Sequence, residues 1–401
     1  DPVLDPGGRW SSARVPAPGT PAESTPHAIV IDDLMLFRYV DKSTKQPRQS
    51  VPLARILKRY LQVGLDYKAK KVIDYSEEQI LLGYLLCANV LQCTPERYAE
   101  LVRAVESLER RRWARPREVE ALVGKFTHIM LLHRPSLSVF SAVYAYARKM
   151  GHRSGRVWPS VLRELKMALA ILPLVRADLS TPVAPVLLQT DASDTGAAVV
   201  YTETVAAAEL ARECRQPRTV PRDEGEAWSV PRALAPDFET SVDPLDWRVA
   251  VRQRVPAEVH INTKEASAVV NAVRWTARGR HGRRGCRLVV QSDSAVAVSA
   301  FRKGRSSKPG LLRQCRRLAA TTLAARIVLV PRWVPTSRNM ADRPSRGGRA
   351  PGPCDGPVRV RPRGRGQGGY AGVRVGEAER PGPVLAPFCW GTIRRKRAAF
   401  S

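Results

Sequence analysis

The chain has 401 residues, a formal net charge of +29 and a sequence pI of about 10.7. This length allows two or three domains with hydrophobic cores, and the positive charge favours a polyanionic partner such as nucleic acid. The sequence is also rich in Arg, Ala, Gly and Pro. A genome whose base composition favours codons for these residues would produce the same charge. The charge alone is therefore weak evidence for a nucleic-acid partner.

The cysteine and histidine patterns argue against zinc. The seven cysteines contain no CxxC pair and the six histidines no HxxxH pair, which predicts free thiols in a reducing, intracellular compartment. The longest apolar stretch, residues 80–91, is too short to span a bilayer, and no signal peptide opens the chain. We therefore expect no membrane partner. Since the chain begins at Asp1 rather than Met, we also expect a fragment of a longer protein.

The first predicted elements are strands. Residues 1–25 are rich in Pro, Gly and Ser and are predicted to be disordered. Residues 27–37, HAIVIDDLMLF, predict a hairpin with Asp32 and Asp33 at its turn. Residues 64–86 predict further strands around a turn.

Residues 94–172 predict a helical region. Thr94, Pro95 and Glu96 form a helix start, with a capping hydroxyl, proline in the first turn and an early acid. Apolar residues then recur at helical spacing and predict four buried faces. These faces are Leu101, Val102, Val105 and Leu108; Val119, Leu122, Val123, Phe126, Ile129 and Met130; residues 139–146; and Val161, Leu162, Leu165, Leu169 and Leu172.

From residue 183 onward, two strands lead into alternating strands and helices, which predicts an α/β domain. Residues 203–243 are charged and predict an insertion with one helix near 206–212. The later elements are a strand at 287–293, a helix at 310–325 preceded by Pro309, a strand at 326–335 and a short helix at 337–346. The Gly-, Pro- and Arg-rich residues 347–401 are predicted to be a disordered basic tail.

Four acids lie where an α/β sheet gathers side chains. Asp191 and Asp293 end strands, Glu265 begins a helix, and Asp342 lies in the last helix. Carboxylates that converge at one sheet edge suit Mg²⁺, which prefers oxygen ligands. The sequence therefore predicts a metal site.

Each acid also has an ordinary structural interpretation. Asn262 and Glu265 have the spacing of a capping box, and the pair Asp293–Ser294 could cap the next helix. Asp342 could be a solvated helix acid, and Asp191 could be a turn residue. The order of the four together favours the metal site.

The acid set resembles the Asp–Glu–Asp–Asp set of ribonuclease H. The matching segments are TDAS around Asp191, HINTKE around Glu265, SDS around Asp293 and RNMADRPSR around Asp342. They are most similar to ribonuclease H domains of DIRS-like and related retrotransposons, over roughly residues 184–346.

The N-terminal part resembles a reverse transcriptase palm. The segment IVIDDLMLF is similar to the palm motif with paired aspartates, here Asp32 and Asp33, and residues 94–172 resemble the thumb and connection. A palm needs another metal-binding aspartate upstream, and only 31 residues precede Asp32. We therefore expect no polymerase activity from this chain alone.

The resemblance implies a ribonuclease-H-like domain with a mixed central sheet. It implies hydrolysis of the RNA strand of RNA–DNA hybrids, with two Mg²⁺ (or Mn²⁺) ions held by Asp191, Glu265, Asp293 and Asp342. The expected organisation is a disordered segment at 1–25, a partial palm at 26–92, a helical thumb or connection at 93–182, the ribonuclease-H-like domain at 183–346 and the basic tail at 347–401.

The expected partners are RNA–DNA hybrids and other nucleic acids. The basic stretch 278–287 is a candidate phosphate contact, with a solvated loop as the equal alternative. The candidate nucleic-acid contacts are Asn262, Arg280, Arg283, Arg284, Arg338 and Asn339.

Two other functions stay open. One is an inactive retroelement relic that only binds nucleic acid. The other is a nuclease of the same fold that acts on DNA, since a fold does not fix a substrate.

Overall fold

A computed structural model describes most of the chain between residues 27 and 348. The described residues are 27–30, 33–36, 51–64, 68–69, 72–73, 78–215, 246–278 and 284–348. The predicted disordered segment 1–25 and nearly all of the predicted basic tail lie outside them. Within these ranges, no helix is both long enough and apolar enough to cross a membrane.

The strands and helices alternate along the chain. The strands are β1 (His27–Val30), β2 (Asp33–Leu36), β3 (Glu78–Leu81), β4 (Tyr84–Cys87), β5 (Val90–Cys93), β6 (Trp113–Ala114), β7 (Gly155–Arg156), β8 (Arg176–Asp178), β9 (Val183–Ala192), β10 (Gly196–Thr202), β11 (Arg248–Arg254), β12 (Arg287–Ser292) and β13 (Val328–Trp333). The helices are α1 (Val51–Gln62), α2 (Pro95–Arg111), α3 (Pro116–Met130), α4 (Ala142–Met150), α5 (Pro159–Ile171), α6 (Ala207–Arg215), α7 (Ile261–Arg278), α8 (Ala295–Lys303), α9 (Pro309–Ala325) and α10 (Asp342–Ser345).

The largest sheet is mixed, as predicted. Its strand order is β11-β10-β9-β12-β13. The strands β9, β10 and β11 pair antiparallel, whereas β12 runs parallel to both β9 and β13. Because β9 and β12 are parallel neighbours, their carboxyl ends meet at one edge of the sheet.

Helices cover both faces of this sheet, so its central strands are apolar on both sides. On one face, α7, α8 and α9 bury residues such as Val269, Val273 and Leu318 against Leu188 and Val290. On the other face, a smaller cluster packs Leu210 of α6 and Trp247, which precedes β11, against the sheet. The α6 helix lies in the predicted insertion, close to the predicted position.

The helical region has its own core, and most of its predicted faces are confirmed. Thr94 caps α2, where its Oγ1 accepts from the Arg97 amide at 3.3 Å. All six predicted apolar residues of α3 are buried. In α5 the prediction holds except at Leu169, which is only partly buried.

The third predicted helix begins later than the sequence suggests. Residues 131–139 form 3₁₀ turns that contain Pro135 and a non-helical residue, His133 with φ −141° and ψ 80°. The α-helix α4 starts only at Ala142. Proline removes a backbone donor and prevents a regular α-helix across this stretch.

The 3₁₀ stretch joins the helical region to the mixed-sheet domain. The His133 Nε2 lies 2.9 Å from Thr322 Oγ1 of α9, and Arg316 Nε donates to the Ser138 carbonyl at 2.9 Å. Burial lowers the pKa of His133 to about 4, so the ring is neutral at pH 7. A side chain at Gly304 would meet the Arg134 carbonyl at 2.1 Å, so the two parts pack closely here.

Two smaller sheets are formed mainly by strands that precede the helical region, with β8 added from after it. The predicted hairpin of β1 and β2 forms, with His27 opposite Leu36. The strands β3, β4, β5 and β8 make an antiparallel sheet. The turn between β3 and β4 has Leu82 and Gly83 at positive φ, 50° and 78°, which such tight turns require.

Candidate metal centre and active site

Three of the four predicted acids meet at one edge of the mixed sheet. Asp191 lies near the end of β9, Asp293 follows β12 directly, and Glu265 lies early in α7. One carboxylate oxygen from each acid lies within 4.8 Å of one from each of the others. The sheet register explains the meeting, because Thr190 pairs with Ser292 in the parallel ladder.

The three carboxylates have few protein partners. Asp191 is 5% exposed and Glu265 is 7% exposed. Glu265 Oε2 and Asp293 Oδ1 are buried and lack a hydrogen-bond partner among the described residues. Buried acceptors without a donor are costly, so these oxygens are set for a ligand such as a cation.

The electrostatics agree with the geometry. Burial, followed by the nearby charges of Asp191 and Asp293, raises the pKa of Glu265 to about 9. Burial also raises the pKa of Asp191, against the lowering effect of a hydrogen bond from Ser345. Like charges this close disfavour ionisation of the whole set, and a bound cation would relieve their repulsion.

The fourth acid, Asp342, lies at the rim. It starts α10, and its Oδ1 accepts from Arg346 Nη2 at 2.7 Å. Its charge contributes to the raised pKa of Asp191. Asp342 is therefore electrostatically linked to the other three acids but does not join the cluster within 4.8 Å.

Ser345 connects α10 to the acid cluster. Its hydroxyl donates to Asp191 Oδ2, and its carbonyl accepts from Ser193 Oγ at 3.0 Å. A Cβ at Gly196 would lie 2.1 Å from that carbonyl. The absence of a side chain at Gly196 thus allows α10 to approach the hairpin that carries Asp191.

A buried amide network supports the same edge. Gln189 and Gln291 lie two residues before Asp191 and Asp293 and pair directly in the ladder. Gln189 Nε2 donates to Gln291 Oε1 at 2.6 Å, and Gln189 Oε1 accepts from the Met340 amide at 2.6 Å. Neither glutamine nor Ser345 was singled out from the sequence. The available signal was a glutamine inside each of two otherwise apolar strands.

The capping interpretation of Glu265 is wrong, whereas the expected cap of the next helix by the pair Asp293–Ser294 is confirmed at Ser294. Helix α7 begins after His260, whose Nδ1 accepts from the Asn262 amide at 3.2 Å, so Asn262 lies inside the helix. Helix α8 is capped by Ser294, whose Oγ accepts from the Ala297 amide at 3.3 Å.

Asn339 holds the loop that leads to Asp342. It is 5% exposed. Its Nδ2 donates to the Thr190 carbonyl at 3.1 Å, and its Oδ1 accepts from the Ala341 amide at 3.1 Å. The side chain therefore faces the protein backbone.

The other predicted nucleic-acid contacts and the palm aspartates differ in exposure and in whether the structure describes them. Arg284 is exposed, whereas Asn262 and Arg338 are half-buried. Arg280 and Arg283 lie outside the described residues, as does Asp32 of the palm-like hairpin. Asp33 begins β2.

No protein-family model and no curated protein matches the sequence. The fold is similar to a foamy viral protease-reverse transcriptase solved with an RNA/DNA hybrid, at 13% identity and a TM-score of 0.31, over 80% of this chain and 58% of that chain. It is also similar to an N-terminal RNase H domain from Mycobacterium tuberculosis, at 16% identity and a TM-score of 0.26, over 41% of this chain and 97% of that chain.

A third similar structure is LC11-RNase H1 with an RNA/DNA hybrid, at 13% identity and a TM-score of 0.25, over 41% of this chain and 95% of that chain. The chain thus spans 58% of the foamy viral protein's length. At these identities the similarities concern the fold alone. The strand order and directions define the fold class, an α/β chain whose mixed sheet forms a ribonuclease-H-like domain.

Proposed function

We propose that this chain hydrolyses the RNA strand of RNA–DNA hybrids with Mg²⁺ or Mn²⁺, as the ribonuclease H part of a DIRS-like or related retroelement reverse transcriptase. One observation carries the proposal. Three carboxylates from separate elements lie within 4.8 Å of one another, and two of them, Glu265 and Asp293, each have a buried oxygen without a donor among the described residues. The resemblance of the four acid-bearing segments to ribonuclease H supplies the substrate class.

The residues suit a divalent metal. Asp191, Glu265 and Asp293 would supply hard oxygen ligands, which Mg²⁺ and Mn²⁺ prefer. When bound, such ions activate a water and stabilise the leaving oxygen in phosphodiester hydrolysis. Asp191 is oriented by Ser345, and Asp342 adds negative charge at the rim.

The domain organisation belongs to the same proposal. Residues 183–346 would form the ribonuclease-H-like domain, residues 93–182 the thumb or connection and residues 26–92 a partial palm. Arg284 and Arg338 would contact the hybrid through its phosphates, which carry most of the affinity of nucleic-acid binding.

A labelled RNA–DNA hybrid tests the proposal. The full chain should cut the RNA strand with Mg²⁺ or Mn²⁺ and stop when the metal is chelated. Asp293→Asn should lower cleavage by more than about 100-fold, because it removes a charge that metal ligation needs, and should spare hybrid binding. Asp194→Asn is the matched control. It makes the same change at an exposed aspartate in the turn between β9 and β10 and should leave cleavage unchanged.

Other outcomes assign other functions. A chain that binds hybrid but cuts nothing in either metal would be an inactive relic. Cleavage of duplex DNA in preference to hybrid would identify a DNA nuclease of the same fold. Equal cleavage by wild type and Asp293→Asn would refute the assignment of the site.

A further inference from the structure

An exposed tryptophan lies at the far end of the helical core. Trp113 is 57% exposed and forms, with Ala114, the two-residue strand β6. That strand pairs antiparallel with β7, so that Trp113 lies opposite Arg156 and Ala114 opposite Gly155. A single exposed aromatic residue is common in proteins, so the surroundings of Trp113 decide whether it has a role.

The backbone fixes the outward direction of Trp113. Successive residues of a strand point to opposite faces. Ala114 is buried, and its carbonyl accepts from the Tyr146 hydroxyl at 3.1 Å. The Val157 amide donates to the Arg112 carbonyl at 2.9 Å. Because both neighbours of Trp113 are anchored to the core, its indole is directed outward on a rigid support.

Arginines surround Trp113 in the sequence and in the strand register. Arg156 is its cross-strand partner, and side chains at such positions have Cβ atoms about 5 Å apart. Arg115 has extended backbone angles, φ −80° and ψ 145°, and therefore points to the same side two residues later. Arg112 directly precedes Trp113 and Arg153 lies three residues before Arg156 in the sequence, and all four arginines are exposed.

The local charge is not neutralised within the described part of the chain. The two nearest acids are engaged elsewhere: Glu109 pairs with Lys166 at 2.5 Å, and Glu118 with Arg111 at 2.9 Å. No ion pair in the described residues involves Arg112, Arg115, Arg153 or Arg156. We call Trp113 and these four arginines the Trp113 surface.

We propose that the Trp113 surface binds an unpaired nucleic-acid strand, at a site separate from the acid cluster. A base would stack on the indole, and the arginines would hold the flanking phosphates. Arginine matches phosphate oxygens in a bidentate geometry, and aromatic stacking accepts any base. Internal bases of a duplex have both faces covered, so the indole selects an unpaired strand. RNA and DNA share the base faces and phosphates that this surface would read.

Two other partners are less well supported. Membrane binding needs a broad apolar face beside the cations, and Trp113 has arginine neighbours instead. An acidic protein would match the charge, but nothing about the flat indole specifically selects it. Both alternatives become outcomes of the test.

The test measures oligonucleotide affinity with the full chain in chelator, so that no strand is cut. Labelled 15-nucleotide oligo(dT) and oligo(rU) are compared with a duplex of equal length by fluorescence anisotropy. Trp113→Ala should weaken binding of both single strands at least about fivefold, because one stacked base is lost. It should change duplex affinity less than twofold. Trp113→Phe should recover part of the loss, and tryptophan quenching by oligo(dT) should be smaller in this variant than in wild type.

Met167→Ala is the matched control. It truncates another exposed apolar side chain of the helical region and should leave all three affinities unchanged. Arg156→Gln should weaken single-strand binding and reduce its salt dependence by roughly 0.7 in the logarithmic slope, as expected for one phosphate contact. If Trp113→Ala does not fold, as judged by circular dichroism, Trp113→Phe and Arg156→Gln decide.

Three results would overturn the proposal. One is unchanged single-strand affinity in Trp113→Ala, or in Trp113→Phe and Arg156→Gln where Trp113→Ala does not fold. The second is an equal loss for duplex and single strand. The third is a Trp113→Ala variant that loses binding to phosphatidylserine vesicles or to poly-glutamate but still binds single strands, which would identify a membrane or an acidic protein as the partner. Hybrid cleavage with metal is measured separately and depends on Asp293, so failure here leaves the proposed nuclease activity untouched.

Discussion

Glu164 and Glu265 are the same amino acid in opposite surroundings. Glu164, in α5, accepts hydrogen bonds from the backbone amides of Ser141, Ala142 and Val143 at 2.9, 2.9 and 3.1 Å. Glu164 thereby provides acceptors for the free backbone amides at the amino end of α4. Glu265, in α7, is buried beside two other acids, and its Oε2 has no donor among the described residues.

The difference separates a structural acid from a functional one. Donors surround Glu164, so its negative charge stabilises the fold. Repulsion and burial oppose the charge of Glu265, so the fold alone gives no reason for an acid there. A buried carboxylate that costs stability indicates a ligand that the protein binds.

The largest effect on stability should come from Glu164. Glu164→Ala removes the acceptor of three amides and should lower the free energy of unfolding by roughly 3 kcal/mol. Glu120→Ala changes an exposed acid of α3 and serves as the control. Urea unfolding followed by circular dichroism measures both. If Glu265→Gln destabilised the metal-free chain more than Glu164→Ala does, the contrast between the two acids would be lost.

Metal binding should stabilise the protein through the acid cluster that contains Glu265 and not through Glu164. Mg²⁺ at 100 times its dissociation constant should add about 2.7 kcal/mol to the stability of wild type, because it binds the folded acid cluster. Asp293→Asn should abolish that gain, whereas Glu164→Gln should keep it. A thermal-shift titration with MgCl₂ against KCl of equal ionic strength measures the effect. A gain that survives in Asp293→Asn would place the cation elsewhere.

The pH dependence should identify Glu265 in the metal-free chain. Its folded pKa of about 9 lies above the ordinary glutamate value of 4.5, so between these values the folded state holds a proton that the unfolded state has lost. The stability from this group is full below about pH 4.5 and is lost as pH rises through about 9, by at most about 1.4 kcal/mol per pH unit.

Glu265→Gln should flatten this dependence, because the amide does not titrate. Glu164→Gln should leave the slope between pH 6 and 8 as in wild type. Unfolding curves in chelator at several pH values measure both. A wild-type stability that rises over this range would show that another group dominates.

Local sequence patterns were enough to predict most helices. The apolar spacing of α3 and the Thr94 cap of α2 depend on residues a few positions apart, and both are found in the structure. The third predicted helix, residues 139–146, begins only at Ala142. The 3₁₀ turns before it are held in part by the contact of His133 with Thr322, which lies 189 residues away in sequence, and local spacing cannot predict such a contact.

The acid cluster shows the same division. The positions of Asp191 and Asp293 at the ends of two strands predict that the two acids meet, and their oxygens lie within 4.8 Å of each other. The supporting Gln189–Gln291 bond and the Ser345 hydroxyl bond depend on sheet register and on the return of α10. No spacing in the sequence encodes such contacts.

The smallest predicted effect concerns Ser345, which supports the acid cluster from α10. Its hydroxyl bond lowers the pKa of Asp191 against the effect of burial. Ser345→Ala should raise that pKa further, weaken the hold on metal and increase the Mg²⁺ concentration for half-maximal cleavage roughly fivefold, the value of about one hydrogen bond. Ser193→Ala is the control, since Ser193 bonds to the Ser345 carbonyl and not to Asp191. Equal Mg²⁺ midpoints for Ser345→Ala and wild type would show that Asp191 needs no hydroxyl donor to hold the metal.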